Sequence, residues 1–121
     1  MSAIYLSAWI DGHDPTRSVL RVGAPVVVRC MLTSQPREGC ASDRIIDETI
    51  EELWRPSTCV AVLCVGASVA PRSRDVGAVG REIVFALTPT QAGDLRVRVQ
   101  VLAANDLIAE ATITARSVEA T

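Results

Sequence analysis

The stretch from Leu95 to Ala115 constrains the fold of this chain more than any other, because it alternates twice in succession. Leu95, Val97, Val99 and Val101 take turns with Arg96, Arg98 and Gln100, the two-residue period of a strand with one buried face. After Ala104, Asn105 and Asp106 the period resumes. Leu107, Ala109, Ala111, Ile113 and Ala115 share one face, and Glu110, Thr112, Thr114 and Arg116 the other. Two such runs joined by a few polar residues read as a hairpin. Keeping every apolar side chain on one face fixes the parity of pairing. A three-residue loop satisfies it, pairing Ala103 with Leu107, Val101 with Ala109, Val99 with Ala111 and Val97 with Ile113, with Asn105 or Asp106 in the left-handed position. Arg98 then faces Thr112 and has Glu110 as a diagonal neighbour.

Further strands follow from the same reasoning. From Arg81 to Leu87, Ile83, Phe85 and Leu87 alternate with Glu82, Val84 and Ala86, and Thr88 and Pro89 end the run. The run from Cys59 to Val65 is apolar on both faces, which suits a central strand covered on two sides and does not by itself exclude a helix; its β-branched content and short length favour the strand. Gly23 to Leu32 places Val26, Val28, Cys30 and Leu32 on one face, and Ile4 to Ile10 supplies a first strand. Asp11 to Arg17, Thr33 to Asp43 and Val69 to Gly80 are rich in Gly, Pro, Ser and Asp and read as loops. One segment has two readings. Ile45, Ile46, Thr49, Ile50, Leu53 and Trp54 fit a helical stripe over 43–54 capped by Ser42 or Asp43. Alternatively, Asp47, Glu48, Glu51 and Glu52 form an acidic edge strand that discourages pairing with another chain.

These elements predict an all-β protein: a two-sheet, immunoglobulin-like sandwich of about six to seven strands, with one short helix near 43–54 if the helical reading holds. At 121 residues, half of them hydrophobic and about a fifth charged, one domain spanning residues 1–121 is expected. The spacing of the strands, with Leu87 to Gly93 followed by Leu95 to Val101, resembles an immunoglobulin-like or fibronectin-like module. The antibody hallmarks do not carry over. Cys30 can occupy the second-strand position, yet no cysteine lies in the penultimate strand, and Tyr5 is the sole tyrosine. The phrase from Phe85 to Val99 is similar to the closing strands of sandwich modules attached to larger bacterial signalling or conflict proteins, often beside peptidase or nucleotide-binding domains. That resemblance implies an accessory role.

Several chemistries are poorly served by these residues. A net charge of −2 gives no footprint for nucleic acid, which needs clustered and uncompensated Lys and Arg. No apolar stretch reaches the ~18 residues of a membrane span, and the run from Ala3 to Ile10 lacks the basic region of a signal peptide, so a cytoplasmic location is expected. Cys30, Cys40, Cys59 and Cys64 contain no C-x2-C pair, and His13 is the lone histidine. Four reduced thiols and no metal or cofactor are therefore expected, with Cys30, Cys59 and Cys64 buried and Cys40 exposed. A cysteine enzyme would require His13 to reach Cys40, although the stretch from Asp11 to Pro15 reads better as a turn. Arg72, Arg74 and Arg81 flank a glycine-containing loop that lacks the form of a phosphate cradle.

A non-catalytic interaction or spacer module is the leading expectation, with a protein partner or a neighbouring domain. Its candidate partner-binding face carries Arg96, Arg98 and Gln100. The alternative is a small-ligand-binding regulatory domain that lines an apolar pocket with Trp9 or Trp54. A cysteine-dependent enzyme ranks third.

Overall fold

A computed structural model of the chain describes residues 3–14, 16–45, 51 and 53–119. Among these are ten strands: β1 (Ile4–Ile10), β2 (Leu20–Arg21), β3 (Val26–Thr33), β4 (Ala41–Ile45), β5 (Thr58–Leu63), β6 (Ala67–Ala70), β7 (Ser73–Asp75), β8 (Ile83–Pro89), β9 (Gly93–Ala103) and β10 (Asp106–Val118). They form two five-stranded sheets. Sheet I has the order β4-β1-β3-β8-β6, and sheet II the order β2-β10-β9-β5-β7. With the three short edge strands β4, β2 and β7 set aside, β1-β3-β8-β6 and β5-β9-β10 reproduce the ABED and CFG order of an immunoglobulin sandwich.

Alternation decides what each sheet turns inward. Val28, Cys30 and Leu32 of β3 and Ile83, Phe85 and Leu87 of β8 are buried from sheet I; Val60 and Val62 of β5, Val97, Val99 and Val101 of β9 and Ala109, Ala111 and Ile113 of β10 are buried from sheet II. All belong to one hydrophobic cluster. The valines of β9 lie opposite small alanines of β10, Val101 against Ala109 and Val99 against Ala111, so large and small side chains alternate across the sheet and let the sheets approach. On β1, buried Ser7 breaks the apolar run. Its Oγ lies 3.0 Å from Thr33 Oγ1 and 3.1 Å from Ser42 Oγ, which satisfies a hydroxyl that burial would otherwise penalise.

Four expectations are corrected. Ser42, Asp43 and Ile45, taken above as the cap and start of a helical stripe over 43–54, lie in strand β4 at the edge of sheet I, paired to β1. Leu53 and Trp54 fall in a short 3₁₀ turn, and residues 46–50 and 52, with Asp47, Glu48 and Glu52 of the acidic cluster, lie outside the described residues. The count of strands exceeds six to seven because β2, β4, β6 and β7 arise beside or within segments read as loops. β5 is covered on its inner face alone, since Leu63 is exposed.

The hairpin loop is the fourth correction. Val101, Val99 and Val97 pair with Ala109, Ala111 and Ile113 as the parity argument requires, but Ala103 pairs with Asp106 and Leu102 with Leu107, and the register shifts between Leu107 and Ala109. A two-residue turn plus one bulged residue thus replaces the three-residue loop and restores the same parity. Ala104 and Asn105 at the turn have φ of 49° and 72°, the left-handed pair of a type I′ turn. Alanine pays a steric cost in that region that glycine does not. Ala104→Gly is therefore expected to raise stability by about 0.5–1 kcal/mol, read as a higher denaturation midpoint in urea; a lower midpoint would rule out a left-handed turn at this position.

Candidate functional site

The outer face of sheet II is built by the residues that alternation leaves pointing away from the core. Successive rows cross β10, β9 and β5: Leu107, Leu102 and Cys59; then Glu110, Gln100 and Ala61; then Thr112, Arg98 and Leu63. Below them Thr114 lies opposite Arg96, and Arg116 opposite Asp94. The face therefore mixes an apolar strip along β5 with a charged strip along β9.

Glu110 organises the charged strip. Its Oε2 accepts hydrogen bonds from Arg98 Nε at 3.2 Å, from Arg98 Nη2 at 2.9 Å and from Gln100 Nε2 at 2.6 Å. The Gln100 and Arg98 hydrogen bonds hold the Glu110 carboxyl below its ordinary range, against the opposing effect of burial. The backbone N–H of Glu110 points the other way, away from β9, and donates to Asp43 Oδ2 at 2.9 Å. A carboxylate on the edge strand of sheet I thereby caps the exposed edge of β10 in sheet II, which blunts that edge against pairing with another chain.

The three residues expected to form the partner face are thus brought onto one surface, but in different states. Arg96 is exposed and makes no ion pair among the described residues. Arg98 is exposed and paired to Glu110. Gln100 is buried, 7% exposed, and its amide is committed to Glu110; it braces Arg98's partner and has no surface of its own to offer.

Sequence reasoning missed the apolar half of this surface. Leu63 is 49% exposed and Val65 is 92% exposed. Together with Cys64, Gly66, Gln91, Asp94, Arg96 and Arg98 they line a shallow depression of about 890 Å³. The turn that carries Val65 is pinned, because the Gly66 carbonyl accepts the backbone N–H groups of Thr90 at 2.8 Å and Gln91 at 3.2 Å. Gly66 itself has φ of +88°, a left-handed backbone that strains any other residue, and a Cβ there would also crowd Leu95 Cδ2 at 3.1 Å. A signal was available: Val60 and Val62 fix the inward parity of β5, so Leu63 must face outward.

A second site lies at the open edge of the sandwich. Trp9, His13, Cys40, Thr112 and Thr114 help to line a cleft of about 200 Å³, so the pair considered for cysteine catalysis does converge. Its chemistry does not suit the task. Burial pushes the Cys40 thiol up, with Arg37 opposing, and burial pushes His13 down, with Asp14 opposing. Both shifts favour the neutral forms over a thiolate and imidazolium. Among the described residues His13 Nε2 is buried without a hydrogen-bond partner, so it does not bond to Cys40. His13 sits in a turn, as expected, with its N–H on the Ile10 carbonyl at 3.1 Å. Each tryptophan borders a hollow of mixed polar and apolar lining: Trp9 that same cleft, with one face of its ring covered by the Arg37 guanidinium 4.0 Å from the centroid, and half-exposed Trp54 a shallow hollow beside Pro56, Asp75 and Val76.

The remaining candidates are dispersed. Arg74 and Arg81 border a hollow with Glu82 and Asp75, but Arg74 Nε donates to the Val84 carbonyl at 2.6 Å and Arg72 is not among the lining residues. All four cysteines are free, and only Cys30 is buried. Cys59 is half-buried on the outer face of sheet II, which corrects the expectation that it lies in the core; Cys64, just past the end of β5, is half-buried and packs against the core, and Cys40, expected to be exposed, is half-buried as well. Burial pushes the Cys30 thiol up to about 12. A disulfide-exchange reagent added to native protein at neutral pH should therefore titrate Cys40, Cys59 and Cys64 and reach Cys30 only on unfolding; reaction of all four at one rate would show that β3 does not bury Cys30.

No protein-family model matches the chain, and no curated protein matches it. Among solved structures the chain is similar to the solution NMR structure of the CARDB domain of PF1109 from Pyrococcus furiosus, at 20% identity over 98% of this chain and 98% of that one, with a TM-score of 0.48.

Proposed function

We propose that this chain is a non-catalytic interaction module that docks a protein partner or a neighbouring domain through the outer face of sheet II. One observation carries the reading: exposed Leu63 and Val65 stand beside Arg96, a cation without a partner among the described residues, on a rigid sheet. Apolar side chains at the centre of a patch, rimmed by charge, are the usual composition of a docking surface. Burial shifts both His13 and Cys40 toward their neutral forms, which speaks against a cysteine enzyme. An accessory place beside larger bacterial signalling or defence proteins, in the cytoplasm, is consistent with such a module and belongs to the same proposal.

The test is charge reversal. Arg96→Glu with Arg98→Glu should abolish co-purification of the partners that the parent protein retains, while the circular dichroism spectrum stays that of the parent. Equal recovery of every partner by both proteins would end the docking reading. A thermal-shift screen separates the small-ligand alternative, which requires a compound that stabilises the parent by filling the cleft at Trp9.

A further inference from the structure

We infer that the depression between Leu63, Val65, Arg96 and Arg98 takes a second copy of this chain, the two molecules pairing face to face about a two-fold axis. This rests on the docking reading above and names the occupant of that face.

The lining of the depression holds two carboxylates, Asp94 and Glu110, and two guanidiniums, Arg96 and Arg98. A balanced lining favours neither an acidic nor a basic partner, and it lets two such faces approach without net repulsion although each chain carries a charge of −2. The order of the charges then selects a copy of the same surface. Arg98 is matched within the chain by Glu110. Asp94 and Arg96 are both exposed, stand two residues apart on β9 and so project to the same side of the sheet. Neither makes an ion pair among the described residues. Two sheets packed face to face are related by an axis that lies between them. When that axis runs across the strands it reverses β9, setting Arg96 over Asp94 of the second copy and Asp94 over Arg96 of the second copy. One opposite-charge couple on a strand thus becomes two ion pairs across the interface, the reciprocal contact of an isologous dimer. The same rotation sets Arg116, opposite Asp94 on β10, over Thr114 of the second copy, which is opposite Arg96. Asp75 lies beside Cys59 at the other end of the face, clear of the axis.

Val65 supplies the apolar centre. It is 92% exposed on its pinned turn and follows two residues after Leu63, the neighbour of Arg98 across the strands, which puts it level with Arg96. The axis therefore brings the Val65 side chains of the two copies against each other, and burial of their methyl groups adds attraction that exposed ion pairs lack.

The experiment is sedimentation of the full chain from micromolar to millimolar concentration. The parent should pass from monomer to dimer as concentration rises. Arg96→Glu sets carboxylate over carboxylate and Asp94→Arg sets guanidinium over guanidinium, so each alone should weaken the dimer about tenfold or more. An equimolar mixture of the two variants restores both ion pairs and should dimerise as the parent does. Val65→Asp should weaken the dimer as much as either reversal. All three positions are exposed, so the variants fold, and melting temperatures equal to the parent's verify it. A parent that stays monomeric, a dimer that survives both single reversals, or a mixture no more dimeric than its components would overturn the inference. If the parent stays monomeric while the Arg96→Glu, Arg98→Glu protein loses its partners, self-pairing falls and the docking face stands; if that protein keeps its partners as well, both fall.

Discussion

Replacing Val99 by aspartate is expected to unfold the protein or nearly so, whereas Arg98→Ala, one residue away, should cost about 1 kcal/mol or less. Val99 is fully buried, flanked across the sheet by Val62 and Ala111. Neither neighbour can donate a hydrogen bond from its side chain or balance a charge. An unpaired carboxylate there costs several kcal/mol, a large share of the ~5–15 kcal/mol that holds a protein of this size together. Arg98 loses only a solvent-exposed ion pair, whose typical worth is about 0–1 kcal/mol, and Glu110 keeps its bond from Gln100. Melting followed by circular dichroism measures both. Similar curves for the two variants would refute the inside and outside assignment of β9.

Phe85→Ala should be the most damaging truncation in sheet I, lowering stability by about 3–5 kcal/mol. Phe85 is the only phenylalanine of the chain and is 1% exposed on β8, opposite Val28 of β3. The surrounding core is made of Val, Leu, Ile and Ala with the small Cys30. No flexible or large side chain stands by to refill the space, so the cavity persists and its surrounding contacts are lost. The difference in unfolding free energy from urea titration gives the value directly. A loss near 1 kcal/mol would mean that the two sheets collapse onto one another and that the packing described for the core is wrong.

What the sequence revealed and what it hid follow one physical rule. β1, β3, β8, β9 and β10 carry their own period-two pattern of apolar residues, so each can be read before any partner is known. β2, β4, β6 and β7 are two to five residues long and mostly exposed. They are strands because an edge of β10, β1, β8 or β5 is beside them, and pairing of that kind leaves no trace in local composition. The helical stripe from Ile45 to Trp54 failed at its start for the same reason, since pairing of Ser42, Asp43 and Ile45 with β1 outweighs a weak helical preference. At the docking face, Arg96 and Arg98 were legible because they interrupt a valine run. Gln100 looked equivalent to them by parity, yet it is buried under the network of Glu110. Val65 was hidden within an apolar run, where exposure depends on the turn at Gly66 and on the backbone of Thr90 and Gln91 that fixes it.

The central claim is that β9 divides its labour, with valines holding the core and arginines meeting a partner. Its most direct test is the association rate of a recovered partner with the parent and with the Arg96→Glu, Arg98→Glu protein, measured at low and high salt beside their melting temperatures. The rate should fall at least tenfold at low salt, the gap should narrow as salt screens the charges, and the melting temperature should barely move. Equal rates at both salt concentrations, or a loss of binding that comes with a loss of folding, would contradict it.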